Sequence, residues 1–152
     1  LPSESRIHIL QAGKAHDDGW AEAAREEMAS NPRYQWLGEI PREQAPLLMG
    51  QCRAMVISST MEGGANVVSE AIVAGLPVIA SRIDGNIGLL GDDYDGYYPA
   101  EDTEALIAVL SRAENDPAYL PRLTDQCDAR KVLFDPARET AAWKDLLAEI
   151  QP

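Results

Sequence analysis

Between Ala54 and Ser81 the chain reads AMVIS, then STMEGGANVVSEAIVAG, then LPVIAS. The outer runs are short, apolar and rich in β-branched residues, which reads as strand. The middle opens on a Gly-Gly turn, carries apolar residues at helical spacing and closes on Gly75 as a C-cap. Two strands joined through a helix pair parallel, because the crossover returns the chain to the same end of the sheet. This one unit commits the chain to a layered α/β architecture.

The rest of the sequence repeats the alternation. Ile7–Ala12 is a candidate strand closed by Gly13, and residues 18–30 are helical, with Asp18 as cap and Asn31-Pro32 as the stop. Tyr34–Leu37 forms a second strand, and Arg42–Cys52 a short helix around Pro46. Ala54–Ser58 is apolar enough for a strand buried on both faces. Helix 65–74 and strand Pro77–Ser81 follow. One helical turn is expected at Ile87–Leu90, a short edge strand at Tyr97-Tyr98, and helices at 103–115, 118–131 and 136–150, the last with Trp143, Leu146, Leu147 and Ile150 on one face. The pattern predicts one Rossmann-like, doubly wound α/β domain with a mostly parallel sheet.

Length and composition fit that expectation. The 152 residues suffice for one domain with a core, and 45% apolar against 25% charged residues is ordinary for a soluble protein. No apolar run is long enough to span a bilayer, and the first residues lack the layout of a signal peptide, so the expected location is cytoplasmic. Cys52 and Cys127 have no metal-binding spacing and are expected as reduced thiols. A net charge of −12 argues against a nucleic-acid or anionic-membrane surface. An anionic small ligand remains compatible, because a helix N-terminus holds phosphate without any side-chain cation.

In parallel sheets ligands bind beyond the carboxyl ends of the strands. Of the loops there, residues 58–65 are the most informative. Gly63 and Gly64 allow close backbone approach, and the amides of Gly64, Ala65 and Asn66 open a helix with no partners inside it. Glu70 follows on the face of Asn66, roughly 7–9 Å along the axis, about the distance from a diphosphate to a ribose. A carboxylate accepts two hydroxyl hydrogens at once and so suits a vicinal diol. Glu62, in the turn itself, would face the group beyond the far phosphate. The bland alternative, in which both glutamates only complement the helix dipole, is equally consistent with their spacing. The stretch matches neither the Walker nor the dinucleotide glycine pattern.

EGGANVVSEAIVAGLPVIAS, preceded by AMVISSTM, resembles the nucleotide-binding half of retaining GT-B glycosyltransferases carrying a Glu-x7-Glu signature. The order IHILQAG, YQWLGEIP, REQAPLLMGQCRAMVISS and PAEDTEALIAVL agrees, over residues 6–150. The resemblance implies that Glu62 lies beside the donor sugar as the catalytic position. It implies that Gly63, Gly64, Ala65, Asn66 and Val67 hold sugar hydroxyls and phosphate, that Glu70 binds the ribose, and that Ile40 lies near the base. Ser59, Arg82, Gly85 and Asn86 are further candidate donor contacts. The implied reaction is transfer of a hexosyl or N-acetylhexosaminyl group from a nucleotide sugar, UDP-linked by preference, with retention and with neither metal nor cofactor. EGGANVVSEA, SRIDGN, GLLGDDYDGYYP and FDPAR look most like the glycosyltransferases associated with selenoneine biosynthesis, which join a UDP-sugar to selenophosphate.

The sequence also departs from the family pattern. Gly-Ala-Asn follows Glu-Gly where a bulky or Pro-containing stretch is usual, and the loop after Ser81 lacks the commoner form ending in Glu. Relatives open this domain with a strand bearing an Arg and a Lys that grip the donor phosphates. Lys14 and Arg82 are imperfect substitutes. The whole of 1–152 is therefore expected to be the donor-binding C-terminal part of a two-domain enzyme, inactive without the acceptor-binding domain.

Other residues read more plainly. His8 is expected to be structural and His16 a solvated loop residue near the binding end. Asp92, Asp93 and Asp95 read as a solvated acidic turn rather than a cation site. Trp20, Trp36 and Trp143 are core anchors or patches awaiting a partner. Two alternatives keep the fold: a sugar-nucleotide epimerase, which needs acid/base residues for which His16 is the one weak candidate, and a non-catalytic, receiver-like module, which His16-Asp17-Asp18 mimics faintly.

Overall fold

The structure, a computed structural model, describes residues 1–150. The chain divides into two compact units, Leu1–Leu48 and the remainder from Met49. Each has its own parallel sheet, so the strands expected in one sheet form two. Most strands have only three residues, and ladders this short leave each sheet small.

In the first unit β1 (Ile9–Gln11) pairs parallel with β2 (Tyr34–Trp36), Ile9 opposite Tyr34. Helix α1 (Asp18–Ser30) makes the crossover, with the bounds expected of it. Its cap is Asp17 rather than Asp18: the Asp17 carboxylate accepts from the Trp20 amide at 2.9 Å. Asp18 is already the first helical residue, where its charge favours the dipole. The chain leaves α1 at Asn31, whose side chain accepts from the Arg33 amide. A 3-10 turn at Arg42–Gln44 then leads into α2 (Ala45–Met49), with Pro46 in the first turn, where its missing N–H is harmless.

The second unit contains β3 (Met55–Ile57), α3 (Asn66–Ala74), β4 (Val78–Ser81), α4 (Asp84–Leu90) and β5 (Tyr97–Tyr98). Helices α5 (Thr103–Asn115) and α6 (Tyr119–Arg130), a 3-10 turn at Lys131–Phe134 and α7 (Pro136–Ile150) complete it. The sheet order is β3-β4-β5, all parallel. β4 is central and every residue of it is buried. Val68, Ala71 and Ile72 of α3 and Leu123 and Cys127 of α6 bury their side chains beside it. Both cysteines are free thiols, Cys127 buried and Cys52 half-buried.

Burial departs from the sequence pattern at β3, and three further side chains are exposed. Val56 of β3 is 39% exposed, because β3 lies at the edge of its sheet and is not covered on both faces. Val67 is 40% exposed, since the buried stripe of α3 runs through positions 68, 71 and 72 and leaves 67 on its flank. Of the two readings of the tryptophans, Trp20 and Trp143 follow the second: they are exposed patches, and α7 has no buried residue.

Candidate functional site

β3 ends at Ile57, whose carbonyl accepts from the Tyr98 hydroxyl at 3.1 Å. The chain then leaves the sheet through residues 58–65 and enters α3. Ala65 is the N-cap and supplies no side-chain hydrogen bond, and no acidic residue stands in the first turn. The positive end of α3 is therefore neutralised by no side chain of its own. Gly64 has φ +134°, which favours glycine, whereas Gly63 is not in the left-handed region.

Glu62 is exposed and its carboxylate accepts from the Ser59 hydroxyl at 3.0 Å. Ser59 is held in turn: its carbonyl accepts from the Ser81 hydroxyl at 2.6 Å. Glu70 is half-buried on the flank of α3 that also presents Asn66 and Val67. The turn, the uncapped helix start and the two glutamates thus belong to one unit and one strand–turn–helix segment. Such a segment can receive an anion at the helix start, with a carboxylate on either side of it to accept hydroxyl hydrogens.

The candidates after β4 divide. Arg82 forms an ion pair with Asp92 at 3.5 Å and lies 5.2 Å from the Tyr97 ring centroid, so its charge is already engaged. Gly85 lies directly against the Glu62 peptide. Asn86 is fully buried, with its amide turned onto Ser81 rather than onto an open surface. Asp95 of the acidic turn pairs with Arg122 at 3.2 Å. Ser81 and Tyr98 were not singled out from sequence. Ser81 was detectable as a hydroxyl closing an otherwise apolar strand; nothing in the sequence marked Tyr98.

In the first unit Ile40 is half-buried in the segment following β2. Lys14 and His16, with Trp20, Tyr34 and Trp36, line an open depression of about 510 Å³. His8 is exposed. Among the described residues, no helix is long and apolar enough to cross a membrane.

Comparison with known proteins places this geometry in context. Residues 2–130 match the family described as glycosyl transferases group 1. HepE of Anabaena, solved with UDP and glucose, aligns with a TM-score of 0.84 at 18% identity, over 96% of this chain and 41% of that one. Sucrose-phosphate synthase of Thermosynechococcus elongatus aligns at 0.74 and 21% identity, over 93% and 39%. The catalytic domain of starch synthase IV of Arabidopsis thaliana, bound to ADP and acarbose, aligns at 0.72 and 13% identity, over 98% and 39%. The shared feature is the fold, an α/β arrangement with parallel sheets that forms a Rossmann-like half of GT-B. The chain spans about two fifths of the length of these structures.

Proposed function

This chain belongs to the group 1 glycosyl transferases, and from that premise we propose that residues 58–70 form the donor half of a nucleotide-sugar site. The observation that carries the reading is the helix start at Ala65–Val67, free of a side-chain cap, between Glu62 in the turn and Glu70 on the exposed flank. The diphosphate lies at the α3 N-terminus, against the dipole and the backbone from Gly63 to Val67. Glu70 accepts the ribose hydroxyls, and Glu62 faces the sugar. UDP is the preferred nucleotide, a choice supported by the HepE complexes with UDP and UDP-glucose.

The full protein transfers a hexosyl or N-acetylhexosaminyl group with retention of configuration and without a metal. The C1–O bond to the diphosphate breaks, UDP leaves, and the acceptor takes C1 on the same face. The motif likeness to the selenoneine-associated group makes selenophosphate the acceptor to try first, with a C1–Se bond as product. Activity in excess EDTA and the anomeric coupling constant of the product test these two features.

Binding is tested by calorimetric titration of the intact protein with UDP, GDP and ADP, repeated on Glu70→Ala. UDP binds most tightly, and Glu70→Ala weakens it about tenfold to a hundredfold, the worth of charge-assisted hydrogen bonds of ~1.5–3 kcal/mol. No nucleotide binding at millimolar concentration overturns the reading. Undiminished binding by Glu70→Ala removes its ribose role alone.

A further inference from the structure

The Glu62 turn is held from two sides, by the half-buried Gly85 and by the fully buried Ser81 and Asn86, and we propose that these three are positioning residues that set where Glu62 stands. The inference rests on the donor-site reading above and adds to it the scaffold behind the carboxylate.

The first contact is steric. Gly85 lies in the first turn of α4, and a Cβ there would stand 2.2 Å from the Glu62 carbonyl oxygen, 2.8 Å from its carbon and 3.0 Å from the Gly64 nitrogen. All three atoms are backbone, so no flexible side chain can swing aside. Gly85 is not in the left-handed region, so the need for glycine comes from proximity and not from φ. The Glu62 peptide rests directly on α4. Any side chain at 85 drives that peptide off by more than 1 Å to reach the 3.4 Å of ordinary contact.

The second contact is a directed run of hydrogen bonds. The Asn86 amide donates to the Ser81 carbonyl at 2.9 Å and to its hydroxyl oxygen at 3.3 Å. With the Ser81 oxygen accepting from Asn86, its own hydrogen is directed to the Ser59 carbonyl at 2.6 Å. Ser59 then donates its side-chain hydrogen to the Glu62 carboxylate at 3.0 Å. Asn86 and Ser81 are both fully buried. The Asn86 side-chain oxygen has no hydrogen-bond partner among the described residues, although it is buried. An apolar residue in its place would leave no orphaned acceptor, so the amide is poor design for stability alone. It is well suited to fixing a hydroxyl's direction.

Together these contacts grip the turn at Ser59 and at Glu62–Gly64, the two points that determine where the carboxylate and the first α3 amides lie. A misplacement of about 1 Å at a reacting centre costs about a hundredfold in rate. A mere packing role predicts lost stability and nothing specific to turnover.

The test uses the intact protein with Gly85→Ala, and Ser81→Ala as a milder second variant that removes the relay without adding bulk. Two readouts are taken: backbone amide NMR chemical shifts of 59–65 without ligand, and UDP release from UDP-glucose or UDP-N-acetylglucosamine with water as acceptor. The shifts of 59–65 move while those of β4 stay, and kcat falls about a hundredfold in Gly85→Ala with KM for the donor within about threefold. Ser81→Ala changes both in the same direction by less. Unmoved shifts at 59–65 in both variants overturn the proposal and leave the donor site standing. A rise in KM with kcat intact also overturns it. Moved shifts in a protein whose wild type binds no UDP overturn the donor reading and keep the scaffold.

Discussion

Adjacent glycines Gly63 and Gly64 serve different ends, and substitution separates them. Gly64 has φ +134°, so an alanine there strains the backbone at about 1–3 kcal/mol. A Cβ at Gly63 meets nothing within 4 Å and needs no unusual dihedral. Gly63→Ala is therefore expected to leave stability within about 0.5 kcal/mol, as surface changes do. On the proposed donor site its methyl would stand where the phosphates approach the turn, and UDP affinity is expected to fall about tenfold. Urea unfolding and calorimetry on the two variants read the difference. Wild-type UDP affinity in Gly63→Ala would mean that the donor does not approach the chain at this residue. Proximity along the chain decides how much of the site is legible in the sequence. Glu62, Ser59 and Glu70 share one short segment, so their association follows from spacing. Ser81 and Gly85 meet that segment only because β4 and α4 return beside it, and no local pattern encodes that return.

At the scale of elements the least conventional feature is the far side of β4. β5 is two residues long and pairs with Ala80 and Ser81, so it cannot serve Val78. The Tyr94 hydroxyl takes over: it accepts from the Val78 amide at 3.1 Å and donates to the Val78 carbonyl. Gly96 makes room, because a Cβ there would lie 2.5 Å from both that carbonyl and the Tyr94 ring. Tyr94→Phe strips both partners from a buried strand and is expected to cost about 1–3 kcal/mol in urea unfolding. Burial raises the titration of Tyr94, Tyr98 and Tyr119 above the ordinary 10 and that of Cys127 above 9, and pushes Tyr97 up to about 12 against the pull of Arg82. The neutral forms are thus favoured by the fold. Their contribution is whole below about pH 9, where the unfolded chain is neutral too, and is lost as pH rises through 9–12. The urea midpoint should be flat from pH 7 to about 9 and fall progressively beyond, as monitored by circular dichroism. A flat profile to pH 11 would contradict this burial.

For the whole molecule, local chemistry told more than burial did. The helices at 18–30, 103–115 and 136–150 had readable bounds because caps and stops such as Asp102, Asn31 and Pro136 sit beside them. Val56 is exposed where burial on both faces is expected, and Trp20 and Trp143 are exposed patches and not core anchors, because an apolar stripe says which face seeks a partner and not whether one is present. Helix α7 carries this point furthest. Trp143, Leu146, Leu147 and Ile150 form its apolar face, and each is at least 46% exposed. The family match also ends at residue 130, before α7 begins. A helix that buries nothing adds little to stability beyond its own marginal propensity. Ending the chain at Asp135 is therefore expected to change the unfolding free energy by less than about 1 kcal/mol, well inside what one core substitution does. Leu123→Ala supplies that comparison: its side chain has no exposure, and its truncation should cost about 2–5 kcal/mol. Urea unfolding of the three chains, followed by circular dichroism, decides the matter. A loss above about 2 kcal/mol on removing 136–152 would show that α7 packs against the core in solution, while the expected small loss leaves its apolar face unused by the core of this chain.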